Sequence, residues 1–321
     1  MFSRRTLQKL TLVLFLFLPI FLLAGCSLDR KESETRWFVV AVDQSLEQDG
    51  LITKLIPTFE KENNVKVKLL PVDTSEAIRY AKAGGVDVLL VSGGDELLKF
   101  AGEAPPVKPF SGIPDPTPTA APQPTPTPTA LPFEMPFAER KQVLWSQLVM
   151  IAPANDPAGI ALQPNVAKGL QRIADLNALY FVAGREPGLI SQVENLWKLM
   201  GKYDIPSRGK GYKVEDVGMT ELLRIAENAH GYAIIPLNVY LNNRQEGKSK
   251  IIFDKDYALY LGYEATIRNY ISIPGQNINL SRKFVDFLQS DSTQNIITDY
   301  TNDNGQTHPY RPYWFPVYIP R

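Results

Sequence analysis

From Trp37 onward, short β-rich runs alternate with stretches of helical spacing, and that alternation leaves few architectures open. Trp37 to Val42 is a β-rich run. Leu51 to Asn63 carries Leu51, Leu55, Ile56 and Phe59 at helical spacing, and Val65 to Pro71 alternates as a strand does. Ala77 to Ala83 reads as a short helix, and Val86 to Val91 as a buried strand ending at Ser92-Gly93-Gly94. Strand-helix-strand-helix-strand is the grammar of an α/β fold with an at least partly parallel sheet, because parallel neighbours need a crossover and helices supply it.

The pattern stops between Pro105 and Pro132 and resumes beyond it. Thr-Pro pairs run from Pro116 to Thr129 with few large apolar residues, so the segment lacks the surface needed to fold and is expected to sample extended polyproline II conformations. The residues before it would form a small sheet with nothing to cover its last strand, so the segment is read as an exposed insertion inside a lobe. Beyond it, Val143 to Pro153 is strand-like, Asn165 to Asp175 helical, and Tyr180 to Ala183 a strand leading into a helix at Leu189 to Gly201. Met219 to Ala229 is helical, Tyr232 to Ile235 and Lys250 to Phe253 are strand-like, Val239 begins a segment of undecided type, and Phe284 to Tyr300 reads as terminal helices.

At the other end of the chain, Arg4, Arg5 and Lys9 precede an apolar run from Leu10 to Leu23, and Leu23-Ala24-Gly25-Cys26 closes it. This is the layout of a bacterial lipoprotein signal, with residues 1–25 removed and Cys26 diacylated and anchored to the membrane. The apolar stretch is shorter than the roughly 20 residues of a spanning helix. Ser27 to Arg36 is polar and reads as a tether. Cys26 is the only cysteine, so no intrachain disulfide is expected. Lys+Arg and Asp+Glu are both 34; loss of the leader leaves 31 basic residues against 34 acidic, a net −3, which is no nucleic-acid footprint.

Catalytic signals are thin. With His230 and His308 as the only histidines, no phosphate loop and no Gly-x-Ser-x-Gly elbow, the usual nucleophile and metal constellations are absent, and no cofactor is expected. His230-Gly231 reads as a helix end. Three loops stand out because each follows a strand and precedes a helix: Val42-Asp43-Gln44-Ser45, Asp73-Thr74-Ser75, and Gly184 to Gly188. In open α/β sheets ligands bind at the carboxyl ends of strands, where helix starts present free N–H groups. Asp43, Gln44, Ser45, Thr74, Ser75, Gly184 and Arg185 are therefore candidate contacts; the alternative is that Ser45, Thr74 and Ser75 only cap helices.

The chain resembles the tungstate-binding, periplasmic solute-binding proteins of ABC importers. The matching stretches are Leu51-Ile52-Thr53-Lys54-Leu55-Ile56-Pro57-Thr58-Phe59-Glu60 with Val65-Lys66-Val67, then Val86-Asp87-Val88-Leu89-Leu90-Val91, Asp156-Pro157-Ala158-Gly159-Ile160, Leu196-Trp197-Lys198 and Gly218-Met219. The resemblance implies a two-lobed periplasmic-binding-protein-like fold, each lobe a mixed sheet flanked by helices, with two crossing strands near Val143 to Pro153 and Lys250 to Leu261. Lobe I would then be residues 37–149 and 251–321, and lobe II residues 150–250. It implies an oxyanion held by hydroxyls, backbone N–H groups and an arginine, and adds Gly218 and Met219 to the candidates.

The chain departs from the family at the ligand loops. The family's Thr-Thr-Thr-Ser run is here Val42-Asp43-Gln44-Ser45; its Ser-Arg-Gly-Asp and Ser-Gly-Thr are here Val182-Ala183-Gly184-Arg185 and Pro187-Gly188-Leu189. Each lost hydrogen bond to a charged ligand is worth roughly 1.5 to 3 kcal/mol, and Asp43 adds repulsion, so weak tungstate binding is expected. The expected function is an extracytoplasmic, membrane-anchored, monomeric solute-binding lipoprotein, not an enzyme. It would take a small polar solute or oxyanion and present it to an ABC permease. The alternatives are a non-transport sensor or scaffold that kept the fold, and a carboxylate-dependent hydrolase.

Overall fold

The computed structural model describes residues 37–101, 137–202, 204, 206–268, 278–301, 305 and 309–316. The leader, Cys26, the tether, the insertion 105–132 and His308 lie outside the described residues. The chain divides into two units, Met1–Trp37 and Phe38–Arg321; apart from Trp37, all the elements below belong to the second.

The strands are β1 (Trp37–Asp43), β2 (Lys66–Val72), β3 (Val88–Ser92), β4 (Phe137–Pro153), β5 (Tyr180–Ala183), β6 (Tyr212–Glu215), β7 (Tyr232–Pro236), β8 (Ser249–Phe253), β9 (Tyr260–Arg268) and β10 (Tyr310–Pro312). They form one sheet in the order β2-β1-β3-β9-β4-β7-β5-β6, with β8 and β10 also paired to β4. β1 and β3 are parallel, as are β5 with β6 and β5 with β7, while β9 and β4 run antiparallel to their neighbours. The result is a mixed α/β sheet.

The long strand β4 belongs to both ends of the sheet. Its first part pairs with β9 and β10, and from Leu148 onward it pairs with β7 and β8. The expected second crossing strand over Lys250 to Leu261 is not continuous. β8 stops at Phe253 and β9 starts at Tyr260, because Asp256 turns the chain between them: its carboxylate accepts from Ala258 N at 3.0 Å and Val166 N at 3.3 Å, and its carbonyl from Leu259 N at 2.9 Å.

Strand alternation sorts the core onto the two faces of the first half. Val40, Val42, Val88 and Leu90 join a large cluster that continues past β4 to Trp197, whereas Ala41, Leu89 and Val91 face a smaller one with Ala77, Ile78, Ala81 and Leu97. The covering helices are α1 (Gln44–Gln48), α2 (Leu51–Asn63), α3 (Thr74–Lys82), α4 (Asp95–Ala101), α5 (Val166–Asp175), α6 (Pro187–Leu199), α7 (Met219–Asn228), α8 (Leu237–Asn243), α9 (Ile278–Gln289) and α10 (Asp291–Thr298).

Several boundaries differ from the sequence reading, each for a local reason. α3 starts at Thr74 instead of Ala77 because Asp73 caps it, accepting from Glu76 N at 2.7 Å. The segment at Val239 lies in α8. β6 escapes the periodicity argument because Lys213 and Val214 are both exposed. His230 does end a helix: with φ +52° it follows α7, and Gly231 N bonds back to Ala226 O at 2.8 Å. Among the described residues no helix is long and apolar enough to cross a membrane.

Candidate functional site

Loops at the carboxyl ends of β1, β2 and β3 meet loops following β5, β6 and β7. Asp43 ends β1 and caps α1, its Oδ1 accepting from Ser45 N at 2.9 Å and Ser45 Oγ at 2.7 Å. Since that hydroxyl proton is committed to Asp43, the 3.1 Å contact between Ser45 Oγ and Tyr263 Oη has the tyrosine as donor. Tyr263 stands opposite Ser92 in the β3–β9 register. Thr74, the first residue of α3, lies 2.9 Å from Ser92 Oγ through its hydroxyl and donates to Glu186 Oε2 at 3.1 Å.

From the other side, the turn after β5 is drawn against β6. Gly184 N donates to Glu215 O at 2.6 Å, and a methyl group placed at Gly184 would lie 2.7 Å from that oxygen, so glycine is required there. Two residues on, Glu186 precedes α6 but does not cap it with its side chain. Its carboxyl reaches across instead, Oε2 to Thr74. A methyl group at Gly218, which precedes α7, would lie 3.5 Å from Oε1. The carboxyl thus rests between the first turns of α3 and α7.

The two sides touch through their backbones. Ser75 N donates to Arg185 O at 3.1 Å. A methyl group at Gly188 would collide with Gly93 O and approach Ser92 Cβ to 2.8 Å; one at Gly94 would come within 2.8 Å of Pro187 O. A second set of contacts ties α1 and the Asp49 that follows it to α8 and β10: Asn238 Nδ2 donates to Ser45 O at 3.0 Å, Asn242 Nδ2 to Asp49 Oδ1 at 3.1 Å, and Tyr310 Oη to Asp49 Oδ2 at 3.0 Å.

Burial governs the electrostatics. Asp43 is 2% exposed and Glu186 3%, with Thr74 and Ser92 fully buried. Burial pushes the Asp43 carboxyl up to about 6, against the two Ser45 hydrogen bonds that hold it down and with a further push from Asp73. Burial, followed by the charges of Asp43 and Asp73, pushes Glu186 well above the usual carboxylate range, against hydrogen bonds from the Thr74 hydroxyl and backbone. Tyr263 is raised by burial and then by Asp43. Asp43 Oδ2 is buried without a hydrogen-bond partner among the described residues. Neighbouring buried carboxyls also disfavour each other's ionised form, so each raises the other.

Arg185 does not enter this crevice. It donates to Asp216 Oδ1 at 3.1 Å and lies 3.7 Å from Asp73 Oδ2, with its side chain 47% exposed. It helps to line an outer pocket of about 350 Å³ with Asp73, Ser75, Glu76, Arg79, Gly184 and Asp216. Among the described residues, no group of three or more His, Cys, Asp or Glu side chains is placed to hold a metal ion.

Of the candidates, Asp43, Ser45, Thr74 and Gly218 come together in the crevice, and Ser75 contributes its N–H to the contact between the sides. Gln44 is exposed, Met219 is buried at the start of α7, Gly184 serves the turn, and Arg185 lies at the rim. Sequence reasoning missed Ser92, Glu186 and Tyr263. Ser92-Gly93-Gly94 marked the end of a strand, which was a usable signal. Glu186 before Pro187 looks like any acidic residue at a helix start, and Tyr263 sits in an antiparallel strand that brings no loop of its own to the site.

This arrangement is similar to known proteins over most of its length. The chain is 24% identical over 312 residues to the tungstate-binding protein TupA of Peptoclostridium acidaminophilum, covering 92% of this chain and 94% of that one. It is 24% identical over 283 residues to a putative ABC transporter anion-binding protein of Haloferax volcanii, covering 86% and 72%. Among solved structures, one described as the tungstate ABC transporter from Geobacter sulfurreducens superposes with a TM-score of 0.64 at 24% identity, over 83% of this chain and 99% of that one. TupA from Desulfovibrio alaskensis superposes with a TM-score of 0.61 at 24% identity, over 86% and 98%. At these identities the two structures establish the periplasmic-binding-protein-like fold. Residues 39–300 match the family model described as bacterial extracellular solute-binding protein, and with that span covered, the chain belongs to that family.

Proposed function

We propose that this chain is the extracytoplasmic solute-binding component of an ABC importer, tethered to the membrane through diacylated Cys26 and taking a small polar solute between two lobes. The lobes we assign are residues 37–149 with 251–321, and residues 150–250. The observation that carries the reading is the convergence of six strand ends on one crevice, with the starts of α3 and α7 facing each other across it. Relatives that bind tungstate or other anions support an oxyanion as the ancestral solute class. A thermal-shift panel of tungstate, molybdate, sulfate, phosphate and organic cations tests it, since a solute at 100 times its dissociation constant stabilises by about 2.7 kcal/mol. A panel that shifts nothing counts against solute binding. Cys26→Ala tests the anchor: the variant should leave the membrane fraction or keep its leader, and a processed, membrane-bound variant would contradict it.

The crevice carboxyls favour a second reading, a sensor or scaffold lipoprotein that kept the fold and lost its anion site. Asp43 and Glu186 stand where an anion would need donors. A thermal-shift response of the unmodified chain to any solute separates the two readings in favour of the first.

A further inference from the structure

We propose that the Glu186 carboxyl is a built-in ligand of the crevice, seated between the first turns of α3 and α7, where it latches the two sides of the sheet together and excludes free oxyanions. Exclusion rests on the solute-binding reading; the latch does not.

The geometry is that of a bound carboxyl ligand supplied by the chain itself. One carboxyl oxygen accepts from the Thr74 hydroxyl at 3.1 Å, and that hydroxyl is itself 2.9 Å from Ser92 Oγ. The other oxygen lies over Gly218, at the mouth of α7. At α3 the Ser75 and Glu76 amides are already taken by Arg185 O and Asp73 Oδ1, so Thr74 is what meets the carboxyl there, whereas α7 begins after Gly218 with no side-chain cap of its own. Glu186 comes from the opposite side of the sheet from Thr74 and Ser92, so its hydrogen bond spans the crevice. It makes this contact instead of capping α6, the usual use of an acidic residue at that position.

The surroundings fit an occupant that carries its own proton. The groups facing Glu186 are Asp43 from β1, Asp73 before α3 and Tyr263 from β9; its sequence neighbour Arg185 is turned out to Asp216 and the outer side of Asp73, 3.7 Å from Oδ2. A free oxyanion would meet those same carboxylates without the tether that holds Glu186 there. The close approach of Gly188 to Gly93 and Ser92 shows the two sides packed together around the latched carboxyl, with no side chain between them at that point.

The test uses the full-length chain in detergent, with Glu186→Ala and the milder Glu186→Asp, which retracts the carboxyl by one methylene. The first readout is hydrogen exchange at the Ser75 amide, which donates to Arg185 O across the crevice at 3.1 Å. It should quicken by about tenfold in Glu186→Ala and severalfold in Glu186→Asp, with no anion present. Unchanged exchange in a folded Glu186→Asp overturns the latch even if Glu186→Ala fails to fold. The second readout is calorimetry with tungstate and sulfate. Glu186→Ala should bind at least one of them about tenfold tighter than the unmodified chain, and equal affinities overturn exclusion. Because the exchange readout needs no solute, a failure of solute binding leaves the latch result intact and is told apart from it.

Discussion

At the rim of the crevice, Arg185 divides its guanidinium between Asp216 and Asp73 in half-exposed surroundings, while on the floor Asp43 and Glu186 are sealed from solvent with hydroxyl partners and no ion pair among the described residues. The groups are alike and the outcomes are opposite. Exposed ion pairs are screened and contribute at most about 1 kcal/mol. A carboxyl taken out of water without a cation holds its proton to higher pH, which is the direction in which burial moves Asp43 and Glu186. Reversing these positions, with the arginine inside and the acids outside, would make an anion site. The 184–188 loop has its one cation out and its one buried acid in, the reverse of what an anion site needs.

Packing on the floor should give the largest effect. A side chain at Gly188 meets backbone at Gly93 that cannot give way cheaply, so Gly188→Val should destabilise the chain by about 3 kcal/mol or more in urea unfolding. A loss below about 1 kcal/mol would mean that the two sides part readily.

Next comes the pH dependence of the floor. Because the folded-state pKa of Asp43 is raised from 3.8 to about 6, its contribution is fully present below pH 3.8 and is lost as pH rises through about 6, about 3 kcal/mol in all; Glu186, also raised, acts with the same sign. Melting temperatures should therefore fall between pH 4 and 7, and less steeply in Asp43→Asn. Parallel curves for the two proteins would show that Asp43 titrates normally.

The rim should hardly respond. Arg185→Ala should leave the melting temperature nearly unchanged, and a double-mutant cycle with Asp216→Ala should show a weak coupling that fades in salt. A strong coupling that salt does not weaken would place the rim in the same class as the floor.

The difference between floor and rim was only partly legible in the sequence. The strand and helix order was readable because β1, β3 and β5 are apolar runs and α2 and α7 keep their spacing. Asp43, Ser45 and Thr74 were reachable because each stands where a strand gives way to a helix. Side-chain direction was not. Arg185 and Glu186 are adjacent in one loop, and nothing in their order says which turns inward; the 2.6 Å clasp of Gly184 on Glu215 orients the turn, and it depends on an edge strand too exposed to be read from periodicity. Asp43 spends its carboxyl as the cap of α1, and Arg185 pairs with Asp216 and Asp73 instead.

A calorimetric titration of the unmodified chain with tungstate at pH 7 bears most directly on the claim that the crevice is filled by the chain's own carboxyl. The account predicts no binding in the submicromolar range, because tungstate would have to displace Glu186 and sit beside Asp43 and Asp73, with Arg185 already paired to Asp216 and Asp73. Submicromolar binding with Glu186 intact would show that the helix starts and hydroxyls of Thr74 and Ser92 hold an oxyanion unaided, and the account would be wrong.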